Sequence, residues 1–245
     1  MNTNATAVEK ERKKFNELAS TWWNPEGPMW PLHGLNNFRT AHIKELLCQH
    51  FSRTENKPQP LQGISILDVG CGGGLMAESL CRLGASVHGI DIAENNIRVA
   101  QQHATSNGLS ITYENIDARE LLERNQVYDV VLNLEVMEHV GDLKLFLSEC
   151  NQLLAKNGIT IMSTINRTFK SWLVAIIGAE YVLNLLPRGT HEWHKFVQPN
   201  EVKAICALDN FEVVWEAGVN FNPFTKKYKL TSDMNVNYMQ AARKL

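Results

Sequence analysis

Residues 66–80, ILDVGCGGGLMAESL, constrain the fold more than any other part of this chain. An aliphatic run stops at a glycine-dense turn, and an amphipathic helical pattern follows at once. Glycine accepts positive φ and carries no Cβ, so a backbone built this way can approach a bound group closely. A strand feeding such a loop and then a helix belongs to open parallel α/β sheets, whose ligands sit beyond the carboxyl ends of the strands. Asp91, 21 residues after Gly70, ends the next apolar run, SVHGID. A carboxylate there can accept hydrogen bonds from both hydroxyls of a ribose. A tight turn and a capping Asp would explain each piece alone, but not loop, strand and acid together.

The rest of the chain supports that architecture. After a proline-rich break at residues 56–60, NKPQP, strands are predicted at 64–69, 86–91, 110–114, 128–134 and 159–164. Helices are predicted between them at 74–83, 94–107, 118–124 and 143–156, with Gly84, Gly108 and Gly158 at helix C-caps. A further helix at 200–208 and strands at 211–217 and 226–230 complete a seven-stranded, mostly parallel sheet with helices on both faces. Before the break, 8–20 and 36–51 have helical spacing, and TWWNPEGPMWP between them reads as a loop. The expected organisation is an N-terminal helical cap at 1–60 and an α/β domain at 61–245, interrupted by an insertion at 167–195.

Composition excludes several classes. A net charge of −2 offers no basic stripe for nucleic acid. The five cysteines are scattered, without a CxxC pair, as expected of reduced thiols in a cytoplasmic protein. The N-terminus, MNTNATAVEKERKK, lacks the apolar core of a signal peptide.

A second constellation lies at the end of the fourth strand, in YDVVLNLEVMEHVGD. If a helical turn starts at Glu135, then Glu135, Glu138 and His139 project to one side. Three readings stand. The trio can hold a divalent metal ion. His139 and Glu138 can form a catalytic pair, a general base with an orienting carboxylate. Alternatively, the acids favour a helix N-terminus and His139 packs against the core.

A dinucleotide loop, G-x-G-x-x-G, would need its third glycine at Leu75. LDVGCGGG instead resembles motif I of class I S-adenosylmethionine-dependent methyltransferases, which implies a Rossmann-like α/β fold. By that resemblance Gly70 and Gly72 hold the methionine part of the cofactor and Asp91 the ribose. Asp117, in NIDA, matches the position facing the adenine amino group; it also reads as an N-cap for the following helix. Longer stretches, KFNELASTWWNPEGPMWPLHGLNNFR, NRTFKSWLVAIIGAEYVLNLLPRGTHEWHKF and NVNYM, resemble the ubiquinone-biosynthesis O-methyltransferase family in the same order. This closer resemblance implies methyl transfer to phenolic hydroxyls of polyprenylated intermediates. It implies Arg39 and Leu134 as further cofactor contacts, with Leu134 standing where a related pattern has Met. It assigns Glu135, Glu138 and His139 to Mg²⁺, and other ubiquinone-biosynthesis proteins become expected partners. Two other readings are weighed against it. A catalytically silent scaffold would not need Asp91, and an NAD-type dehydrogenase would need a glycine at position 75.

Residues 170–189, KSWLVAIIGAEYVLNLLPRG, form the most apolar stretch. It is too short to span a bilayer, which takes about 20 consecutive apolar residues, and Glu180 and Asn184 interrupt it. Arg167, Lys170, Arg188 and Lys195 flank it. A buried core helix is one reading. Its position after the fifth strand predicts a helical lid over the active-site edge. With residues 170–188 on an anionic surface, the protein would be cytoplasmic and peripherally attached to the inner membrane. In THEWHKF, His191 and His194 are three apart, which excludes a zinc H-E-x-x-H. That stretch reads as the return of the lid, and the loop around Trp22 and Trp23 as the opposite wall of the cleft.

Overall fold

The computed structural model describes residues 3–172 and 193–245. The strands are β1 (Ser65–Val69), β2 (Ser86–Ile90), β3 (Thr112–Glu114), β4 (Tyr128–Leu134), β5 (Leu154–Ile165), β6 (Phe211–Asn222), β7 (Lys227–Thr231) and β8 (Asn237–Lys244). The helices are α1 (Thr3–Leu18), α2 (Trp30–His50), α3 (Leu75–Arg82), α4 (Glu94–Ser106), α5 (Ala118–Glu123), α6 (Leu143–Gln152), the single turn α7 (Phe169–Ser171) and α8 (Pro199–Leu208). The strands make one sheet in the order β3-β2-β1-β4-β5-β8-β6-β7. Pairing is parallel from β3 through β5, and antiparallel for β5–β8, β8–β6 and β6–β7.

Strand alternation builds two cores. Ile66, Val130, Ile161 and Ala241 face one side, against Ile43 and Leu47 of α2, Leu80 of α3 and Ala100 of α4. Their neighbours Leu67, Val131, Met162 and Ala242 face the other, against Leu121 of α5, Leu147 of α6 and Val202 of α8. Because both faces are covered, these strands read as unbroken apolar runs. α2 belongs to the same core as the sheet, with Ile43 and Leu47 fully buried.

The sheet has eight strands among the described residues, not the expected seven. The addition is β8, buried between β5 and β6. Its sequence, NYMQAARK, is poor in β-branched residues, and its place rests on burial rather than propensity. Gly158 is a second correction. It lies inside β5, because α6 ends at Gln152 and the strand resumes at Leu154. Gly84 and Gly108 do follow helix ends, at φ 95° and 66°. The expected apolar lid helix at 172–187, with Glu180, Asn184, Arg188 and His191, lies outside the described residues apart from Trp172. No described helix is long and apolar enough to cross a membrane.

Strand order reverses between β1 and β4, and that switch point opens a crevice at their carboxyl ends. The antiparallel half is bolted to its surroundings by Tyr238 of β8, fully buried, whose hydroxyl donates to the Val197 carbonyl at 3.1 Å. Removing that donor in Tyr238→Phe leaves a buried carbonyl unpaired and should cost about 1–3 kcal/mol. For a chain of this size each kcal/mol lowers the melting temperature by about 2–4 °C. An unchanged melting temperature would show that this bond does not hold β8.

Candidate active site

The glycine loop adopts the backbone that its sequence predicts. Gly70 and Gly72 have φ of 68° and 54°, in the left-handed region. The Gly72 amide donates to Asp91 Oδ2 at 2.9 Å, the Ala93 amide to Oδ1 at 2.7 Å, and Asn96 Nδ2 to Oδ2 at 3.3 Å. Asp91 is thereby fixed between the loop and the start of α4. Burial raises its carboxyl above the usual range, although these three donors oppose the shift.

The tryptophan-rich segment closes over this loop. A Cβ at Gly72 would stand 2.4 Å from the Trp22 ring. The Trp22 indole N–H donates to Asn96 Oδ1 at 2.9 Å, so Asn96 links Trp22 to Asp91. Trp23 donates to the Gly73 carbonyl at 2.9 Å and stacks on His103, with ring centroids 3.5 Å apart. Trp22 lines the cavity, while Trp23 is a packing and hydrogen-bonding anchor.

Asp68 was not singled out from sequence. It sits inside β1, buried, with Oδ2 lacking a hydrogen-bond partner among the described residues. Burial, then the charge of Asp91, pushes its carboxyl up to about 7, against a hydrogen bond from the Ala77 amide. An acid within the apolar run I-L-D-V is the signal that could have found it.

The end of β4 differs from expectation. Glu135 is left-handed at φ 58°, and the helical turn starts later, at Met137–His139. The three side chains consequently turn to separate partners. The buried guanidinium of Arg39, on α2, donates to Glu135 and, at 2.8 Å, to Ser163 Oγ. Thr164 Oγ1 donates to Glu138 Oε2 at 2.7 Å. His139 Nδ1 stands 3.2 Å from Glu11 Oε2 of α1. Burial alone would raise the Glu135 carboxyl, but Arg39 outweighs it and holds it below the usual range. Burial, then the Glu135 charge, pushes the Glu138 carboxyl upward. No group of three or more His, Cys, Asp or Glu among the described residues is placed to hold a metal ion. The Mg²⁺ trio expected at Glu135, Glu138 and His139 is therefore not assembled in this geometry. Glu138 also does not orient His139, because its bond goes to Thr164.

All the candidate residues nevertheless converge. Arg39, Gly70, Gly72, Asp91, Asp117, Leu134, Glu135, Glu138 and His139 line one cavity of about 950 Å³. Asp117 caps α5: its Oδ1 accepts from the Glu120 amide at 3.1 Å, and Glu120 returns to the Asp117 amide at 3.4 Å. Capping leaves it on the cavity wall. Beyond the polar groups the wall is apolar, with Phe15, Leu18, Leu32, Ile165 and Phe221. The volume is at the upper end for small-molecule sites.

Comparison with known proteins bears directly on this site. A family model described as a methyltransferase domain matches residues 67–162, from β1 into β5. The ubiquinone biosynthesis O-methyltransferase of Bartonella bacilliformis is 44% identical over 243 residues, covering 99% of this chain and 98% of the relative. That of Brucella anthropi is 45% identical over 239 residues, covering 98% and 96%. The chain belongs to the ubiquinone biosynthesis O-methyltransferase family. Its fold is that of class I S-adenosylmethionine-dependent methyltransferases. The magnesium protoporphyrin IX methyltransferase of Synechocystis, solved with bound S-adenosylmethionine, superposes with a TM-score of 0.68 at 17% identity over the whole of both chains. As a member, the chain is an S-adenosylmethionine-dependent O-methyltransferase, and the scaffold and dehydrogenase readings fall.

The contact between Trp22 and the loop makes a prediction for this methyltransferase. A Cβ at Gly73 would lie 2.4 Å from both Cβ and Cγ of Trp22, and Cβ cannot move away without moving the backbone. Gly73→Ala should displace the indole, cost about 1–3 kcal/mol of stability and red-shift the tryptophan emission. Emission and melting curves identical to wild type would mean that Trp22 does not rest on the loop.

Proposed function

We propose that this chain transfers the methyl group of S-adenosylmethionine to phenolic hydroxyls of polyprenylated ubiquinone precursors, of the 2-polyprenyl-6-hydroxyphenol and 3-demethylubiquinol type. The observation that carries this reading is the continuity of the cavity. The glycine loop and Asp91 share one space with Glu138, His139 and an apolar wall, and the names of the relatives supply the pathway.

When bound, S-adenosylmethionine supplies an electrophilic methyl on a sulfonium whose departure leaves a neutral thioether. The chain must hold it, align an oxygen with it and take a proton. Gly70 and Gly72 bring backbone against the methionine part, and Asp91 accepts from the ribose. Asp117 faces the adenine amino group, and Leu134 contacts the cofactor. Arg39, whose Nε has no partner among the described residues, and Asp68, through its open Oδ2, suit the charged carboxylate and ammonium of the amino acid. A phenol with a pKa of about 10 is mostly protonated at neutral pH. His139 accepts its proton. Glu138, shifted up by burial and by the Glu135 charge, donates a hydrogen bond to a neighbouring ring oxygen. The carboxylate of Glu135 is committed to Arg39 and is not free to hold a divalent ion.

A lipid-dissolved acceptor requires that the cavity mouth meet a membrane surface. The expected basic anchors do not support this as assumed: Arg167 pairs with Glu201, Lys170 with Asp233 at 2.6 Å, and Lys195 lies 3.7 Å from Glu11. Other groups do support it. Phe224, 95% exposed at the β6–β7 turn, is followed by exposed Lys226, Lys227 and Lys229, and Phe169 is 74% exposed at the start of residues 170–188. Phe221 and Pro223 of that hairpin and Lys170 line the cavity. An exposed aromatic beside lysines suits an anionic interface.

Purified protein with S-adenosylmethionine and a short-chain demethylubiquinol should give a product heavier by one methyl group. In the same preparation Asp91→Ala should weaken cofactor binding by about 1.5–3 kcal/mol. No product would sink the acceptor assignment, and unchanged affinity in calorimetry would sink the ribose assignment. Liposome flotation tests the surface. The wild type should float with phosphatidylglycerol vesicles, and Phe224→Asp should float severalfold less while binding cofactor normally. Equal flotation of the two would remove the hairpin from the membrane face.

A further inference from the structure

Trp22 reaches the glycine loop from the N-terminal segment, and its indole runs along that loop. A Cβ at Gly73 would meet Cβ and Cγ of Trp22, both at 2.4 Å, and a Cβ at Gly72 would meet Cζ2 and Cη2 at 2.4 and 2.5 Å. The root of the side chain is therefore at Gly73 and its six-membered ring at Gly72. Bonds hold it in place from several directions. The indole N–H donates to Asn96 Oδ1 at 2.9 Å, and Asn96, only 1% exposed, turns its own amide to Asp91 Oδ2 at 3.3 Å. His33 Nε2 donates to the Trp22 carbonyl at 2.8 Å. The next residue, Trp23, is fastened to the Gly73 carbonyl and stacks on His103. Core packing alone would seal the ring, but Trp22 is only partly buried and lines the cavity together with Gly72, Asp91 and Asn96.

We propose that Trp22 recognises the sulfonium charge of S-adenosylmethionine: its ring face attracts the cation, which strengthens binding of S-adenosylmethionine more than that of S-adenosylhomocysteine. This inference rests on the reading of the glycine loop as the methionine site and of Asp91 as the ribose acceptor. In the cofactor the sulfur joins those two moieties. Trp22 stands at the corresponding junction, with its ring on Gly72 and its N–H one side chain, Asn96, away from Asp91.

The chemistry of the cation favours an aromatic partner. A sulfonium has no N–H or O–H to donate, so hydrogen-bond acceptors do not single it out. The face of an aromatic ring carries negative potential, indole gives the strongest such attraction among side chains, and aromatic walls serve in the same way for quaternary ammonium groups. Transfer of the methyl group removes the positive charge from sulfur and leaves the adenosine and the amino acid unchanged. A contact that senses this charge therefore helps to load the methyl donor and to release the spent thioether. Asp91 cannot make that distinction, because both molecules carry the same ribose.

Calorimetric titration of the full chain with S-adenosylmethionine and, separately, with S-adenosylhomocysteine tests this without turnover. In Trp22→Leu the ratio of Kd for S-adenosylmethionine to Kd for S-adenosylhomocysteine should rise about 3- to 30-fold, the range of a cation–π contact. Trp22→Phe keeps a smaller aromatic face and should move the ratio less. Both variants leave Asn96 Oδ1 without its donor, and any effect on Asp91 falls on both ligands and cancels in the ratio. Fluorinated tryptophans placed at position 22 keep the shape and the N–H, and so guard against a folding defect, while each fluorine drains the ring face. Affinity for S-adenosylmethionine should then fall stepwise with fluorine number, with that for S-adenosylhomocysteine unchanged. An equal loss of both ligands in Trp22→Leu, or a flat fluorine series, would overturn the proposal and leave Trp22 as a wall of the cavity. Asp91→Ala separates this failure from that of the cofactor reading: it should weaken both ligands alike. If it weakens neither, the reading of the loop and Asp91 as the cofactor site falls and takes the proposal with it.

Discussion

The buried contact between Arg39 and Glu135 organises the functional end of this molecule. A guanidinium on α2 reaches across the sheet to the carboxylate that follows β4, and Ser163 of β5 joins both. A buried ion pair is a weak source of net stability, because desolvation offsets most of its attraction. Its effect here is positional and electrostatic. It holds Glu135 in a left-handed backbone that a non-glycine residue rarely adopts. That conformation delays the helical turn and sends Glu138 and His139 in different directions. It also fixes one negative charge beside Glu138, whose own carboxyl is raised in consequence.

A second dependence runs from the N-terminal segment to the cofactor end. Trp22 covers the glycine loop and reaches Asp91 through Asn96. Asn16 of α1 accepts from the Asn95 amide at 2.8 Å and fastens the helix to the start of α4. α1 thus packs where the loop, Asp91 and the histidine all lie within reach. The residues before the sheet complete the cavity wall instead of forming an appendage to it, and removing them would open the cavity.

Much of this was legible in the sequence, for identifiable reasons. The parallel half of the sheet came from long apolar runs alternating with capped helical patterns, signals that depend on neighbours only a few residues away. The glycine loop and Asp91 were legible because close backbone approach restricts the residue type at each position. β8 was not legible, since Ala241 and Ala242 are strand residues only because β5 and β6 flank them. Asp68 is legible only as an acid in an apolar run, a signal that names no partner. Glu11 had no signal at all, being one acid among many charges.

The sequence by itself determined the strands through β5 and the parallel character of that half of the sheet, the family, and most of the polar residues that meet at the switch point. Each follows from local periodicity, or from steric demands that only certain side chains meet. Tertiary structure alone decided the pairings among those residues. Arg39 chose Glu135, Thr164 took Glu138, and His139 turned to Glu11. Which charge neutralises which depends on distances across elements far apart in the chain, and burial makes each of those distances count.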